Sequence, residues 1–572
     1  MRKAFAFLPF YLFIFLPFMV SCSKFLEVEP QNEITLENFW NEKSDVDNIV
    51  TGCYCALQSK SIITRMMVWG EFRSENVVEG QNIERDVNLQ KVLKENIDAS
   101  NAYTTWNDFY TVINRCNIVM KYAPQVAEKD LAYTDGDLRA TIAEVTALRS
   151  LCYFYLIRTF HDVPYSSVAF TDDNQVMDLP ATPFEAVLDS CIESLERVQD
   201  DAMRHYPTTK PLHQTGRITQ TAIYAMLADM YLWKKDYQSC VKYCDKVIDA
   251  KRQDAQSNDL AANERLFNGY PLYTSYGSDG SFGNAYNKIF VEGNSDESIF
   301  EITFNGNDEK TTSNGATNDF YGNGAQGAYP GLVFPSDFLT LDVRDGMYKV
   351  FRNAMDGRYY EAMRPTTGGQ VFGINKYVNG SEARFNVSGT SVSGSWGGMY
   401  ASYAQNKSNW IVYRLTDVML MKAEALAQMM TDGSNTEADK ELAQKAFTLV
   451  NAVNKRSIYQ QNPTDTLRAA DYMEKNVLTN LVYDEREREL MFEGKRWYDL
   501  VRRSQRDGNT NYLLQKVVQK GSANSSVVQS SLARMNAIYW PYNIEELKVN
   551  PNLVQNPAFG SGVSSDYDKT AK

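Results

Sequence analysis

The chain has 572 residues, of which 44% are hydrophobic and 23% charged, a balance that is typical of globular proteins. Its formal net charge of -13 gives a surface that repels phosphate backbones and anionic lipid, which argues against nucleic-acid binding. The three histidines, His161, His205 and His213, share no ligand-like spacing, so the sequence does not predict a histidine-based metal site.

The N-terminus has the pattern of a bacterial export signal. Two basic residues precede an uninterrupted apolar stretch over 4–20, which is short for a membrane span. The stretch runs into Val-Ser-Cys, ending at Cys22, which is similar to a lipobox, and a polar stretch begins directly afterwards. We predict a signal peptide over 1–21, lipidation of Cys22, and a tether over 22–40. The alternative is an ordinary signal peptide that is cleaved nearby, with Cys22 as a bystander.

Helical periodicity recurs along the chain. Apolar residues repeat at three- and four-residue steps, the spacing of one helix face, over 106–120, 142–160 and 184–198. The run 219–250 resembles a tetratricopeptide unit, with a tight turn at Lys235 between two helices, and 410–430 with 439–455 predicts another pair. Such helices cannot bury their apolar stripes alone, so the pairs stack. The predicted fold class is mostly α: tetratricopeptide-like helix pairs with long loop-rich insertions and a few short strands.

Two long segments, 267–335 and 364–409, differ in composition from the helical blocks. They are rich in Gly, Asn, Ser, Thr and Tyr, and contain short strand-like pieces such as 298–303. Loops of this length in a compact protein are usually functional or disordered. Their many aromatic residues argue against disorder, which is depleted in such residues. We therefore expect these segments to carry function.

Seven cysteines follow Cys22. Their odd number and irregular spacing do not fit a disulfide framework, and the sequence contains no C-x-x-C pair of the kind that holds zinc. Free cysteine behaves as a small hydrophobic residue in protein cores. We predict core positions for all seven, namely Cys53, Cys55, Cys116, Cys152, Cys191, Cys240 and Cys244.

The densest run of charges is 484–489, in which acids and arginines alternate. Glu485 and Glu489 would share a helix face, as a glycosidase pair might require, but their carboxyl groups would also have to face one cavity. The interleaved arginines lower carboxyl pKa values, whereas a general acid needs a raised one. A salt-bridged helix surface is therefore the preferred interpretation, and we predict no catalytic residue and no metal ligand.

Candidates for ligand binding combine aromatic rings with hydrogen-bonding groups. Sugars present apolar C–H faces that sit on flat rings, while their hydroxyls pair with Arg, Asn and carboxylates. The alternatives are a capped turn packed on the core for the first group of candidates, which follows helical segment 46–60, and loop anchoring for the others. For Arg73 the packed turn is the preferred interpretation. The candidates are Trp69, Arg73 and Asn76; Tyr273, Tyr276 and Tyr286; and Trp396 and Tyr400, which lie in a Gly/Ser-rich loop.

Several short blocks recur along the chain, and each alone is a weak signal. The blocks are the lipobox with Phe25-Leu26-Glu27-Val28, Gly70-Glu71-Phe72-Arg73, Ala147-Leu148-Arg149, Asp162-Val163-Pro164, Tyr413-Arg414, Asp417-Val418-Met419-Leu420-Met421-Lys422-Ala423-Glu424-Ala425, Glu489-Leu490-Met491-Phe492-Glu493-Gly494-Lys495-Arg496-Trp497 and Asn550-Pro551. In their order and spacing, these blocks resemble the SusD/RagB-like lipoproteins of Bacteroidetes outer membranes. The resemblance covers nearly the whole chain, with one departure at 540–542 (Trp-Pro-Tyr), where relatives more often have Leu-Pro-Ile.

The resemblance implies an α-helical fold with four tetratricopeptide-like pairs and a variable ligand-binding portion. It also implies a SusC-like TonB-dependent transporter as partner, an oligosaccharide or oligopeptide ligand at the cell surface, no catalytic activity and no cofactor. On this basis we expect one SusD-like domain over 41–572. Its parts would be a helical scaffold at about 41–266 and 410–505, ligand-binding loops at about 267–409, and a C-terminal segment, 506–572.

Three functions follow from these observations. The preferred one is an outer-membrane lipoprotein that captures nutrient oligomers, with oligosaccharide favoured over oligopeptide, and delivers them to the transporter. The second is a secreted glycosidase or peptidase, suggested by the carboxylate cluster and the aromatic loops. The third is a structural repeat scaffold that binds no small ligand.

Overall fold

The computed structural model describes fourteen stretches of the chain, which include most of the helical blocks and parts of the loop-rich segments. The predicted signal peptide and nearly all of the tether, with Cys22, lie outside them, so lipidation stays a prediction. The described residues are 39–257, 266–277, 282–304, 313–323, 329–339, 350–351, 356–365, 371–378, 384–388, 391–395, 406–433, 436–458, 466–521 and 525–560.

Helices dominate the described residues. The α-helices are α1 (Lys43–Leu57), α2 (Lys60–Met67), α3 (Val87–Leu93), α4 (Asn107–Lys129), α5 (Asp135–Phe160), α6 (Phe184–Val198), α7 (His213–Gly216), α8 (Gln220–Lys234), α9 (Tyr237–Ser257), α10 (Asn284–Tyr286), α11 (Gly315–Tyr321), α12 (Gly357–Ala362), α13 (Leu415–Met429), α14 (Glu437–Ser457), α15 (Lys475–Leu490), α16 (Arg496–Asp507), α17 (Asn511–Val517), α18 (Ser525–Leu532) and α19 (Ile544–Val549). Two π-helical turns occur at Val68–Phe72 and Asn287–Glu292. Turns of 3-10 helix occur at Ile83–Arg85, Ala102–Thr104, Asp337–Leu339, Ala469–Tyr472, Val518–Lys520 and Met535–Ile538.

The strands are short and pair two by two, always antiparallel. The pairs are β1 (Val77–Glu79) with β7 (Val333–Pro335), β2 (Val163–Pro164) with β3 (Ala181–Thr182), β4 (Ser298–Ile302) with β12 (Trp410–Arg414), β5 (Gly322–Asn323) with β6 (Tyr329–Pro330), β8 (Met363–Pro365) with β9 (Val371–Ile374), and β10 (Arg384–Ser388) with β11 (Ser391–Ser395). The predicted combination of helix pairs, loop-rich insertions and a few short strands is confirmed.

The long helices pack one after another. Helix α4 packs on α1 and α5, α5 on α6, α6 on α8, α8 on α9, α9 on α13, α13 on α14, and both α13 and α14 on α15. Each helix therefore buries its apolar stripe between two neighbours, as expected for stacked helix pairs. Because α9 packs directly on α13, the scaffold is continuous in space although more than 150 residues separate the two helices in sequence.

The pair α8–α9 illustrates how the local sequence sets these elements. Thr219 caps α8 by accepting a hydrogen bond from the backbone N–H of Ala222. The helix ends at Lys235, which adopts a left-handed conformation with φ of 65°, and α9 begins two residues later. The predicted tight turn between two helices is thus confirmed.

The segment predicted as helix over 410–430 contains two elements. Its first five residues form β12, which pairs with β4, and α13 begins only at Leu415. The prediction of helix over 410–414 is therefore wrong. These residues, Trp-Ile-Val-Tyr-Arg, are mainly β-branched and aromatic, and the available partner strand decides their conformation.

The loop-rich segment between β4 and β12 contains α11, α12 and β5–β11. We name residues 303–409 the insertion. Pairing of β4 with β12 brings its two ends together beside the scaffold. The ends of the insertion are therefore fixed by a sheet, which positions whatever the insertion carries.

Helix α5 is the central core helix. Residues 143–160 are buried on all its faces, and its most apolar 18-residue window is 83% buried. Of the described helices, it alone is long and apolar enough to cross a membrane, but a core helix that is covered on all sides has the same composition.

The cysteines mostly follow the prediction. Six are buried, whereas Cys55 is exposed on α1, so its predicted core position is wrong. It lies two residues from buried Cys53, a step of about 200° around a helix, which turns its side chain to the opposite face.

Candidate ligand-binding surface

A buried cluster of charged residues lies where the insertion meets α15. Its centre is Glu489, whose carboxylate pairs with Arg358 at 3.1 Å, with Arg414 at 2.5 Å, and with Arg456. One turn earlier on α15, Glu485 pairs with Arg358 at 2.8 Å. Arginines from α12, β12 and α14 therefore converge on one face of a single helix.

Further ion pairs attach other parts of the chain to this face. Lys376, just after β9, pairs with Glu493 at 2.8 Å, and Glu297, just before β4, pairs with Arg456 at 2.9 Å. All of these side chains are buried. We name this set the ionic floor; its members are Glu297, Asp356, Arg358, Lys376, Arg414, Arg456, Glu485, Arg488, Glu489 and Glu493.

The ionic floor keeps its central carboxyl groups ionised. Burial by itself would raise the pKa of Glu489, but Arg456, Arg414 and Arg358 outweigh it and hold that pKa well below its ordinary value. The pKa of Glu485 is also lowered, because Arg358 and Arg488 outweigh its burial. The predicted direction is correct for both groups, but its cause is not: apart from Arg488, which acts on Glu485, the arginines that lower these pKa values lie outside the run 484–489. A general acid needs the opposite shift, so neither group suits that role.

The predicted environment of the charge run is wrong in one respect. The salt bridges are present, but residues 485–489 are buried instead of forming a helix surface. Helix α15 is covered on several sides: Arg486 pairs with Asp417 of α13 and Asp499 of α16, both at 2.9 Å. A buried ion pair is costly to break, because removing one partner leaves the other charge without compensation.

Arg73 is a structural residue, which confirms the preferred interpretation of a turn packed on the core and excludes it as a candidate for ligand contact. Its side chain is buried, pairs with Glu95 at 2.8 Å and lies 4.3 Å from the ring centre of Trp497. It also donates to the carbonyl oxygens of Ala537 (2.8 Å) and Ile538 (2.9 Å). These contacts join the N-terminal part of the chain to the C-terminal segment.

Trp69 and Asn76 are likewise part of the core, so the prediction of ligand contact is wrong for both. Trp69 is fully buried, donates to the carbonyl oxygen of Tyr103 at 2.8 Å and stacks on Phe109. The side chain of Asn76 is fully buried and donates to Glu71 at 2.9 Å.

A close backbone contact explains why this segment is buried. A Cβ on Gly70 would lie 1.9 Å from the carbonyl oxygen of Gly494, so two backbones meet where only glycine fits. Glu71 then accepts a hydrogen bond from the backbone N–H of Phe492 at 3.0 Å.

The three tyrosines before the insertion have different environments. Tyr286 is buried and donates to the carbonyl oxygen of Asn375 at 2.6 Å, so its predicted exposure to ligand is wrong. Tyr273 and Tyr276 are half-buried, and the hydroxyl of Tyr273 donates to Asp296 at 2.9 Å. Contact of these two residues with a ligand stays a prediction.

Trp396 and Tyr400 lie outside the described residues. The hairpin β10–β11 ends at Ser395, directly before Trp396. Their role in ligand binding stays a prediction.

Helix α12 carries positioning residues that the sequence did not single out. Asp356 caps α12 and pairs with Arg358 at 2.7 Å. Glu361 accepts hydrogen bonds from Ser275 and from the backbone N–H of Gly283, and its burial raises its pKa to about 7. The helix thus ties the loop that carries Tyr273 and Tyr276 to the ionic floor. The Asp-Gly pair that opens α12 was the one local signal of a structured turn.

In the described part of the chain, no group of three or more His, Cys, Asp or Glu side chains is placed to hold a metal ion.

Two family models match the chain. Residues 398–559 match the SusD family, and residues 24–232 match a family described as starch-binding, associating with the outer membrane. Two curated relatives from Formosa agariphila, SusD-like proteins P38 and P25, are 25% and 24% identical; each alignment covers 96% of this chain and 98% of the relative. The chain belongs to the SusD/RagB-like family.

Solved structures share the fold of this SusD-like chain. A SusD superfamily protein from Bacteroides vulgatus has a TM-score of 0.63 at 17% identity, covering 91% of this chain and 100% of that one. A laminarin-binding SusD-like protein has a TM-score of 0.58 at 19% identity, with the same coverage. A SusD superfamily protein from Bacteroides thetaiotaomicron has a TM-score of 0.60 at 21% identity, covering 91% and 99%.

The two family models flank the insertion of this SusD-like protein. Residues 233–397 lie between the matched segments and contain most of the insertion together with Tyr273 and Tyr276. The residues that match the two family models therefore belong mainly to the scaffold, and they include the residues of α15 and β12 that form part of the ionic floor.

Proposed function

We propose that the protein is an outer-membrane lipoprotein that captures oligosaccharides at the cell surface and delivers them to a SusC-like TonB-dependent transporter. The observation that carries the proposal is the N-terminal family match, which is described as starch-binding and associating with the outer membrane. The laminarin-binding SusD-like protein, which has the same fold, supports a saccharide over a peptide ligand.

The proposed capture surface is formed by the insertion and by the loop that carries Tyr273 and Tyr276. Both tyrosines are half-buried, so each offers a ring edge or face beside polar groups, the combination that sugars require. Trp396 and Tyr400 are proposed to complete the surface. Because the ionic floor fixes the base of this surface, little ordering entropy would be lost on binding.

Capture without hydrolysis agrees with the chemistry of the floor. Cleavage of a glycosidic bond needs one carboxyl group with a raised pKa beside a second carboxylate in the same cavity. Glu485 and Glu489 are buried, paired with arginines and held ionised. This environment supports a structural role for the two carboxylates, and it favours a binding function over an enzymatic one.

Isothermal titration of the full soluble domain tests the proposal. We expect binding to laminarin-derived or starch-derived oligosaccharides and at least tenfold weaker binding after Tyr276→Ala or Trp396→Ala. Tyr237→Ala, which removes a half-buried tyrosine from scaffold helix α9, is the matched control and should keep the affinity. Binding to peptides alone would refute the saccharide ligand and favour an oligopeptide. Hydrolysis of the saccharide by the purified wild type would refute the binding-only function.

The proposed anchor is tested separately. Cys22→Ala should release the protein from the outer-membrane fraction and abolish most uptake, because a tethered binder works at high effective concentration beside its transporter. The same variant should keep its ligand affinity in solution. Membrane fractionation that still finds Cys22→Ala with the membrane would count against lipidation.

A further inference from the structure

The loop that carries two tyrosines of the proposed capture surface is internally bonded. We name it the tyrosine loop; it consists of residues 273–277 and 282–284. A β-bridge pairs Tyr276 with Phe282, and the backbone N–H of Gly283 donates to the carbonyl oxygen of Ser275 at 2.9 Å. The two stretches of the loop are therefore joined, and whatever holds one of them also holds the other.

An ion pair of the ionic floor holds the first stretch of the tyrosine loop. The guanidinium of Arg456 donates to the carbonyl oxygen of Tyr273 at 2.9 Å, and the carbonyl oxygen of Arg456 accepts the backbone N–H of Ser275, also at 2.9 Å. Glu297 accepts the backbone N–H of Tyr273 at 2.7 Å and pairs with Arg456 at 2.9 Å. The backbone on both sides of the first tyrosine is thus attached to the scaffold.

Glu361 of α12 holds the loop from a second side. Its carboxyl group is 5% exposed and lies 3.3 Å from the hydroxyl of Ser275 and 3.2 Å from the backbone nitrogen of Gly283. The packing is close, because a Cβ on Gly357 would lie 2.6 Å from the ring of Phe282. In this closed arrangement the loop therefore covers the carboxyl group of Glu361.

The charged groups around Glu361 favour its neutral form. The cation that faces it, Arg456 of α14, already pairs with Glu297 and Glu489. Asp356, which precedes α12, and Glu489 of α15 add negative charge, whereas the loop presents an uncharged hydroxyl and a backbone N–H. A carboxylate at this position would have to share one cation with two other buried carboxylates, which is costly.

The neutral acid satisfies both contacts with the loop. Its carbonyl oxygen accepts the N–H of Gly283, and its hydroxyl can donate to Ser275. Burial raises the pKa of Glu361 from 4.5 to about 7. If the loop opens and water reaches the carboxyl group, the pKa returns towards its ordinary value. The closed loop therefore binds the proton more tightly than the open loop, and a rise in pH favours opening.

We infer that Glu361 is a positioning residue of the capture surface: it holds the tyrosine loop closed while it carries a proton, and loss of that proton releases the loop and weakens saccharide binding. The binding part of this inference rests on the proposed function, because it requires the tyrosines to contact the saccharide. Release of the loop requires no ligand. Failure of saccharide capture and failure of the proton-controlled loop are therefore distinguishable.

Hydrogen exchange of the full soluble domain measures the loop without a ligand. Peptides that cover the tyrosine loop report the amides of Ser275, Gly283 and Asn284, whose hydrogen bonds close it. After correction for the intrinsic pH dependence of exchange, their protection in wild type should fall at least about tenfold between pH 5 and pH 8. Full hydration of Glu361 in the open loop sets the upper limit of this change at about 70-fold.

Two glutamine variants separate Glu361 from other buried acids. Glu361→Gln fits the same space and has no proton to lose, so the protection of its loop should not depend on pH. Glu71→Gln is the matched control. Glu71 is also fully buried with a pKa of about 7, but its carboxyl group binds Asn76 and the backbone of Phe492. This control should show the wild-type dependence on pH.

Two results of the exchange experiment would overturn the inference. The first is a wild-type loop whose protection does not change with pH. The second is a pH dependence that persists in Glu361→Gln, which would assign the effect to another carboxyl group, first of all Glu297, whose pKa burial also raises. Ser275→Ala is a further variant that keeps Glu361 itself. It removes one contact of the neutral acid, so it should lower the protection more at pH 5 than at pH 8; an equal loss at both would also contradict the inference.

Isothermal titration with a laminarin-derived oligosaccharide at the same two pH values tests the binding part. Wild type and Glu71→Gln should bind at least about threefold more weakly at pH 8 than at pH 5, whereas Glu361→Gln should bind equally at both. An unchanged wild-type affinity, together with a loop that opens, would refute the role of Glu361 in capture. If no saccharide binds at either pH while the loop still responds, the saccharide ligand is refuted and the proton-controlled loop is supported.

Discussion

Glu71 allows a quantitative test of the close contact between the N-terminal segment and the residues before α16. Its carboxyl group is fully buried and accepts hydrogen bonds from Asn76 and from the backbone N–H of Phe492. Burial outweighs these bonds and raises its pKa from 4.5 to about 7. The folded protein therefore binds this proton more tightly than the unfolded chain does.

The sign of the pH dependence follows from that difference. Below pH 4.5 the group is protonated in both states, and as the pH rises towards 7 the unfolded chain loses the proton first, so the folded state becomes less stable. A difference of about 2.5 in pKa corresponds to about 3 kcal/mol of lost stability, most of it between pH 5 and pH 8. Glu71→Gln has no such proton, so it should lack this loss.

The assay is reversible urea unfolding of wild type and Glu71→Gln at pH 5 and pH 8. We expect the free energy of unfolding of wild type, relative to the variant, to fall by about 2.5 kcal/mol over this range. Glu545→Gln, at an exposed glutamate, is the control and should give a difference that does not change with pH. A constant difference for Glu71→Gln, or one that favours wild type at pH 8, would refute the reasoning.

Three further predictions concern stability and accessibility. Glu489→Gln removes the charge that three buried arginines share and should cost about 3–5 kcal/mol in unfolding free energy. Glu441→Gln, on the exposed face of α14, is the control and should leave the unfolding free energy nearly unchanged; equal effects would contradict a buried floor. Gly70→Ala should lower the unfolding free energy by about 1–3 kcal/mol, because its added Cβ would lie 1.9 Å from a backbone oxygen. Gly52→Ala inside α1 has room for a Cβ and should stabilise the helix by up to about 1 kcal/mol. Urea titration measures both effects. Cys55 should react with maleimide in the native protein, whereas the six buried cysteines should react only after unfolding. Mass spectrometry counts the labels. More than one label on the native protein, apart from any on Cys22, would contradict the burial of the other cysteines.

The helix pairs could be predicted from the sequence because periodicity reports the face that a helix buries. The apolar steps over 184–198 coincide with α6, and the run 219–250 divides at Lys235 into α8 and α9. The strand β12 could not be predicted in this way, since its pairing partner, β4, lies more than 100 residues earlier. A local apolar pattern predicts a helix, whereas a short strand depends on pairing with a segment that is distant in sequence.

The side-chain environments were less predictable. Trp69 beside hydrogen-bonding residues has the composition of a sugar site, but the same composition suits a core in which Trp69 donates to the carbonyl oxygen of Tyr103 and Asn76 donates to Glu71. What decides between them is the close contact of Gly70 with Gly494, which no local pattern contains. Similarly, the acids of 484–489 are typical of a solvated helix until Arg358, from far along the chain, is known to cover them.

The ionic floor has a consequence for exchanging loops between related proteins. A graft that is cut at β4 and β12 would leave the scaffold, with Arg414, Arg456 and all of α15, unchanged. It would have to bring its own equivalents of Arg358 and Lys376, since Glu485 and Glu493 would otherwise each lose a buried cation. A chimaera that keeps those two cations and the pairing of β7 with β1 should fold with a new ligand preference, so the insertion behaves as an exchangeable cassette that buried ion pairs and a strand pair attach to the scaffold.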